Sequence, residues 1–127
     1  MTKFIILLCV FLAGGCATKV DDFSKLDQDL ITLLVKKGAN INKEHLVSFL
    51  IDCSTKQQVS HIMTDAMQYG FEDDYLSYSN KRQVWSTSLT KYIKLDLSEI
   101  TVNRAKLTPL MPSKGCQPIF WGASVKL

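Results

Sequence analysis

Hydrophobic residues recur at helical spacing in the stretch from Asp21 to Asn40, DDFSKLDQDLITLLVKKGAN. Apolar side chains three and four residues apart fall on one face of a helix. Here they are Phe23, Leu26, Leu30, Leu33 and Leu34. Lys36 and Lys37 suit the negative end of a helix dipole, and Gly38 is the residue type that most often ends a helix. The pattern therefore predicts a first helix.

The following stretch, HLVSFLIDC, changes to a period of two, which is typical of a strand. Val47, Phe49, Ile51 and Cys53 alternate on one face, and the other face is also partly apolar, so we expect a central strand. Helical spacing returns in STKQQVSHIMTDAMQYG. Its expected buried residues are Val59, Ile62, Met63, Ala66 and Met67. Thr55 and Gln58 match a capping box at its start, and Gly70 ends it.

The second half of the chain repeats this succession of elements. FEDDYLSYS is extended, SNKR forms a polar turn, and QVWSTSLTKYI returns as a strand. A third helix is predicted for DLSEITVNRAKL, with Asp96 and Glu99 as a capping box and Pro109 at its end. The last strand lies in CQPIFWGASV, with Ile119, Trp121 and Ala123 on one face.

This order, a helix followed by β-α-β-β-α-β, predicts an α+β fold. We expect a ferredoxin-like split β-α-β arrangement, with a four-stranded antiparallel sheet and an extra N-terminal helix. In that topology the last strand runs antiparallel beside the first, so Cys53 meets Cys116 and the two can form a disulfide. The alternative is that both cysteines stay reduced as small buried residues.

The N-terminus has the pattern of a bacterial lipoprotein signal peptide. Lys3 precedes nine residues without a polar side chain, FIILLCVFL, which is too short for a membrane span of about 20 residues. LAGGC then resembles a lipobox, although Ala13 occupies the position where leucine is usual. The sequence therefore predicts a signal peptide over residues 1–15, a lipidated Cys16 and a lipid-anchored linker over residues 16–20. The alternatives are an ordinary cleaved signal peptide, or a first core strand in a cytosolic protein.

Charge and composition argue against several classes of function. The formal net charge is +3 and the basic residues are dispersed, whereas nucleic-acid binding favours a clustered basic stripe. His45 and His61 follow no metal-ligand spacing, and no catalytic triad or phosphate-binding glycine loop is present in the sequence. We therefore predict a protein that is not an enzyme and that uses no metal or other cofactor.

Several segments together resemble the RraB family, whose members bind ribonuclease E and inhibit it. They are LITLLVKKGANI before a strand with HLVSFLI, the helix end AMQYGF, and LDLSEITVNRAKLTPL leading into GCQPIFWGA. The resemblance extends from about Asp27 to Ala123, within a single domain predicted over residues 21–127. The sequence departs from enteric members, which are acidic and lack a signal peptide, and Pro109 interrupts the last helix.

The resemblance implies a protein that acts by binding another protein. Together with the signal peptide, it predicts a lipid-anchored envelope module, located at the outer membrane and facing the periplasm, with an unidentified protein partner. An immunity-type inhibitor is one form of this hypothesis. An assembly or escort lipoprotein is an alternative, and a cytosolic ribonuclease E regulator is another if the N-terminus is not a signal peptide. Trp85, Tyr92 and Phe120 are the candidate partner-binding residues if one sheet face stays open; otherwise they belong to the core.

Overall fold

Three α-helices pack on one side of an antiparallel sheet in the computed structural model, which describes residues 23–125. The helices are α1 over residues 23–36, α2 over Lys56–Ala66 and α3 over Leu97–Leu107. The strands are β1 Glu44–Cys53, β2 Glu72–Asp73, β3 Ser77–Ser79, β4 Val84–Lys94 and β5 Phe120–Ala123. The predicted signal peptide, linker and lipidated Cys16 lie outside the described residues.

The strand order is β2-β4-β1-β5, and every pairing is antiparallel. β3 also pairs with β4, nearer to the N-terminal end of β4 than β2 does. The mixed α/β class is as predicted, but five strand segments replace the predicted four strands. The edge strand expected from Phe71 to Ser79 is divided at residues 74–76 into β2 and β3. Asp73 and Asp74 are adjacent there, and aspartate is depleted in strands, which explains the interruption.

The core lies between the helices and one face of the sheet. All four residues predicted for the inner face of β1 are completely buried: Val47, Phe49, Ile51 and Cys53. They pack in one cluster with buried residues of α1, α2 and α3. Because alternate residues of a strand point to opposite faces, the remaining β1 side chains point away from the helices.

The predicted helix ends are met at α2 and only partly at α3. Thr55 and Gln58 form the predicted capping box. Asp96 occupies the N-cap of α3, but its side chain makes no capping hydrogen bond there, so the second predicted capping box is wrong. Pro109 lies in a 3-10 turn, Thr108–Leu110, directly after α3, which ends where proline predicts.

The buried face of α1 differs from the predicted one. Leu26 and Leu33 are 59% and 47% exposed, although the spacing of apolar residues assigned them to the packed face. Leu34 is buried and Leu30 is packed against the core as predicted, and the other buried positions are Asp27 and Ile31. The packed face is therefore rotated, and a carboxylate occupies a position in it.

Asp27 is 3% exposed and joins α1 to two other elements. Trp121 Nε1, from β5, and Arg104 Nη2, from α3, each donate a hydrogen bond of 2.8 Å to Asp27 Oδ1. Arg104 Nη1 donates to Oδ2, so the ion pair is bidentate. These contacts hold α1 in the helical layer. Within residues 23–125, the opposite face of the sheet is therefore left without a helix across it.

Cys53 and Cys116 lie opposite each other in an isolated antiparallel bridge. Their Cα atoms are 4.0 Å apart and their sulfur atoms are bonded in the structure. Ser54 N donates to Gly115 O and Gln117 N donates to Asp52 O, so backbone hydrogen bonds flank the pair on both sides. The segment before β5 is thereby aligned with the end of β1.

Candidate binding surface on the open face of the sheet

The sheet face opposite the helices is formed by the even-numbered residues of β1, β4 and β5. Leu46 of β1 lies opposite Tyr92 of β4. On the other edge of β1, Leu50 lies opposite Phe120 of β5. Tyr92 and Phe120 are 64% and 56% exposed, and Leu50 is 40% exposed. Large apolar side chains are therefore presented to solvent on a face that no described helix covers.

These residues form two ridges that run across the strands. The first ridge is Leu46 with Tyr92, and the second is Leu50 with Phe120. Four residues of β1 separate Leu46 from Leu50, so the ridges are about 13 Å apart at about 3.3 Å per residue. Side chains on the same face two residues apart are neighbours along a strand, which leaves one row between the ridges.

That row consists of small side chains and forms a trough between the ridges. Ser48 of β1 pairs with Gly122 of β5 on one side and with Thr90 of β4 on the other. Glu72 pairs with Thr90 and closes the row at the β2 edge. The floor is thus a glycine and two hydroxyl side chains, which offer hydrogen-bonding groups between apolar walls.

Gly122 has neither a conformational nor an internal steric reason to be glycine. Its φ angle is not positive, so any residue can adopt its backbone conformation. A Cβ atom built there would meet nothing within 4 Å. Glycine weakens a strand interior and often marks a site where another backbone or a ligand approaches closely. Among the described residues nothing fills the space above it.

A cluster of polar side chains lies at the end of the open face, next to the second ridge. Arg82 forms an ion pair with Asp52, and Ser86 Oγ donates to Asp52 Oδ1 at 2.6 Å. Beside them lies an open cavity of about 420 Å³ lined by Leu50, Asp52, Arg82, Val84, Gln117 and Phe120. Leu50 and Phe120 of the second ridge therefore share this cavity with the charged side chains of Asp52 and Arg82.

The structure brings together two of the three predicted partner-binding aromatics. Tyr92 and Phe120 share the open face. Trp85 lies on the opposite face, where it is half-buried, pairs with Cys53, and has the ring of Tyr78 5.3 Å away. Lys56 Nζ lies 5.6 Å from the Trp85 ring centroid. The prediction missed Leu46, Leu50 and Gly122, although the alternation in HLVSFLIDC assigns both leucines to the face opposite Phe49.

Lys91, on the helical side of β4, has a lowered pKa. Burial lowers its pKa most, the positive charge of Lys106 lowers it further, and Glu99 partly opposes them. Its Nζ donates to the Tyr69 carbonyl at 2.8 Å and to Asn103 Oδ1 at 3.1 Å. These contacts make Lys91 a link between β4 and the helices, remote from the trough.

The described part of the chain offers no built metal site and no spanning helix. No three His, Cys, Asp or Glu side chains within residues 23–125 are grouped to hold a metal ion. No helix in that range combines the length and apolar character needed to cross a membrane.

Comparison with known proteins agrees with the resemblance seen in the sequence. The model of one family, described as regulator of ribonuclease activity B, matches residues 24–122. The search of curated proteins found no match. The matched range includes α2, α3, all but the first residue of α1 and all but the last residue of β5, and therefore both ridges and the trough. The chain belongs to the RraB family.

Proposed function

We propose that this chain is a lipid-anchored protein of the cell envelope that binds and regulates a protein partner through the open face of its sheet. The observation that carries the proposal is the trough between two exposed apolar ridges, with Gly122 on its floor. The family description, a regulator of ribonuclease activity, supports action by binding another protein. In this proposal the chain performs no catalysis, uses no cofactor and binds no nucleic acid.

The trough suits an extended segment of the partner, or one row of side chains of a partner helix, lying across the strands. The ridges are about 13 Å apart between Cα positions and their own side chains take up part of that distance, so the space between them is narrower than a whole helix of about 10–12 Å. Exposed tyrosine and phenylalanine rings are frequent binding hot spots because they bury a large area with few rotatable bonds. Tyr92 and Phe120 supply such rings, one on each side of the trough.

We also infer that the sheet is a variant of the predicted ferredoxin-like arrangement. Counting β2 and β3 as one interrupted edge strand leaves the order β2-β4-β1-β5, in which the last strand lies beside the first. The helices on one side and the open face on the other follow from that arrangement.

The class of protein to which the partner belongs depends on the compartment in which this chain is located. If Cys16 is lipidated, the partner is an envelope protein, such as a toxin or hydrolase inhibited in the manner of an immunity protein, or a component that an assembly lipoprotein escorts. A second candidate, a cytosolic regulator of a ribonuclease, is favoured by the family description. The two classes differ in whether Cys16 carries acyl chains.

Gly122→Trp should abolish partner binding without loss of stability. Tryptophan at this position meets no atom of the chain within 4 Å at Cβ, and its bulk fills the trough. We expect the melting temperature to be unchanged and the captured partner to fall at least about tenfold, the equivalent of about 1.4 kcal/mol. The measurement is affinity capture from an envelope extract with quantitative mass spectrometry.

Thr64→Trp is the matched control, since Thr64 is exposed on α2 in the helical layer. It places the same large side chain on another exposed surface and should leave capture unchanged. Equal capture by Gly122→Trp and wild type would exclude the trough as the binding surface.

Cys16→Ser should prevent acylation. In cells given a fatty-acid analogue, we expect the wild-type protein to be labelled and the variant to remain unlabelled, because the thiol is the acyl acceptor. Ala17, rather than aspartate, follows Cys16, and this resembles the outer-membrane sorting rule of lipoproteins. The labelled protein should therefore fractionate with the outer membrane. Equal labelling of both proteins would contradict the lipidation of Cys16.

A further inference from the structure

Two leucines of α1 are exposed on a surface separate from the trough. Leu26 and Leu33 are seven residues apart, which places them on the same face of the helix two turns from each other. They are 59% and 47% exposed, and Leu30 between them is partly buried against the core. We call these three residues the leucine stripe. It belongs to the helical layer, on the opposite side of the sheet from the trough.

The leucine stripe begins close to the predicted lipid anchor. Six residues, 17–22, separate Cys16 from Phe23, the first described residue of α1. Even fully extended, this linker spans about 25 Å. A domain held on so short a tether stays within about its own diameter of the bilayer, and α1 is the helix nearest to the attachment point in sequence.

Lysines lie near the stripe. Lys25, Lys36, Lys37 and Lys43 lie in or just after α1. The acidic residues of the same stretch are Asp21 and Asp22 before α1, Asp27, which is paired with Arg104, Asp29, which adjoins the stripe one turn after Lys25, and Glu44. Lysines near an exposed apolar helix face are typical of segments that lie on anionic lipid surfaces.

We propose that the leucine stripe rests on the phospholipid surface of the membrane that holds the Cys16 acyl chains. The inference depends on the proposed lipidation of Cys16. The acyl chains supply the affinity, and the stripe determines which side of the domain faces the bilayer. At 3.6 residues per turn the stripe lies about a quarter turn from the buried residues of α1, so the domain rests on the lipid along one flank of that helix. The trough, on the other face of the sheet, then does not face the bilayer, and a partner can reach it from the aqueous phase.

Site-specific fluorescence on the full acylated protein tests this orientation. A polarity-sensitive nitrobenzoxadiazole probe is attached to Leu33→Cys, or to Phe120→Cys on the open face as the control. The protein is reconstituted into vesicles of equal parts phosphatidylcholine and phosphatidylglycerol, and acylation is verified by mass spectrometry. Both sites are well exposed, so neither probe should disturb the fold.

We expect the Leu33 probe to emit at shorter wavelength in vesicles than in detergent, and to be quenched by spin-labelled lipid, while the Phe120 probe responds to neither. Leu26→Glu should abolish the response at Leu33 and leave acylation intact.

Acylated protein with no lipid quenching at Leu33, or with equal quenching at both sites, would overturn the inference while the proposed anchor stands. A blue-shifted Leu33 probe that lipid quenchers do not reach would indicate a second copy of the chain on the stripe, and would also overturn it. Absence of acyl chains on Cys16 would remove both the anchor and the inference.

Discussion

Replacing Asp27 with alanine should lower the free energy of unfolding by about 3–5 kcal/mol, the usual cost of removing one partner from a buried ion pair. The variant leaves the Arg104 guanidinium, whose side chain is 15% exposed, without its counter-ion, and leaves the Trp121 indole N–H without its acceptor. For a domain of this size the melting temperature should fall by about 12 °C or more. Thermal and urea unfolding followed by circular dichroism measure both quantities.

Two variants separate the buried contacts from the charge of α1. Asp27→Asn keeps an oxygen that can accept from Trp121 but loses the ion pair, so we expect a smaller loss than with alanine. Asp29→Ala removes an exposed carboxylate from the same helix and should change stability by about 0.5 kcal/mol or less. Equal effects of Asp27→Ala and Asp29→Ala would mean that the network does not hold α1.

Loss of the link between Cys53 and Cys116 should cost about 4 kcal/mol. The two residues are separated by 63 positions, and closing a loop of that length restricts the unfolded chain by about this amount in the chain-entropy model. The total stability of a small domain is only about 5–15 kcal/mol, so the loss is a large fraction of it. We expect protein isolated from the envelope to have no free thiol after denaturation, and a reductant to lower its melting temperature by several degrees or more.

Substitutions distinguish the cross-link from packing. Cys116→Ser changes the less buried partner and should reproduce the effect of the reductant, which should then cause no further change. Because Cys53 is completely buried, Cys53→Ala tests its side without introducing a hydroxyl group. The double variant should be about as stable as either single variant, since both remove the same bond. Two alkylatable thiols in native material would contradict the pairing and argue against an oxidising compartment.

Local patterns predicted the core of the sheet well because they depend on short-range periodicity. The alternation in HLVSFLIDC correctly identified the buried face of β1, and Thr55 with Gln58 correctly identified the start of α2. The buried face of α1 was predicted only in part: Leu34 is buried, but Leu26 and Leu33 are exposed, and Asp27 looks like a surface residue in the sequence. Its burial depends on Arg104 and Trp121, 77 and 94 residues away in the chain, and no local pattern reports such partners.

The candidate site was partly predictable. Tyr92 and Phe120 were expected on a sheet face and lie on the open one. Trp85 lies on the other face, and the sequence already contained the reason: it is seven residues from Tyr92 in the same strand, and an odd separation places two side chains on opposite faces. The trough itself depends on how β1 aligns with β4 and β5, which the order of elements does not specify.

The central position of β1 has a consequence for when the chain can fold. Its neighbours are both synthesised later: Cys53 pairs with Trp85, and Leu50 pairs with Phe120, close to the C-terminus. Contacts between residues so distant in sequence form slowly, since the chain between them must first be ordered. A nascent chain that does not yet include β5 lacks both the second neighbour of β1 and Trp121 as a donor to Asp27. Folding of the sheet around β1 is therefore delayed until β5 has been synthesised.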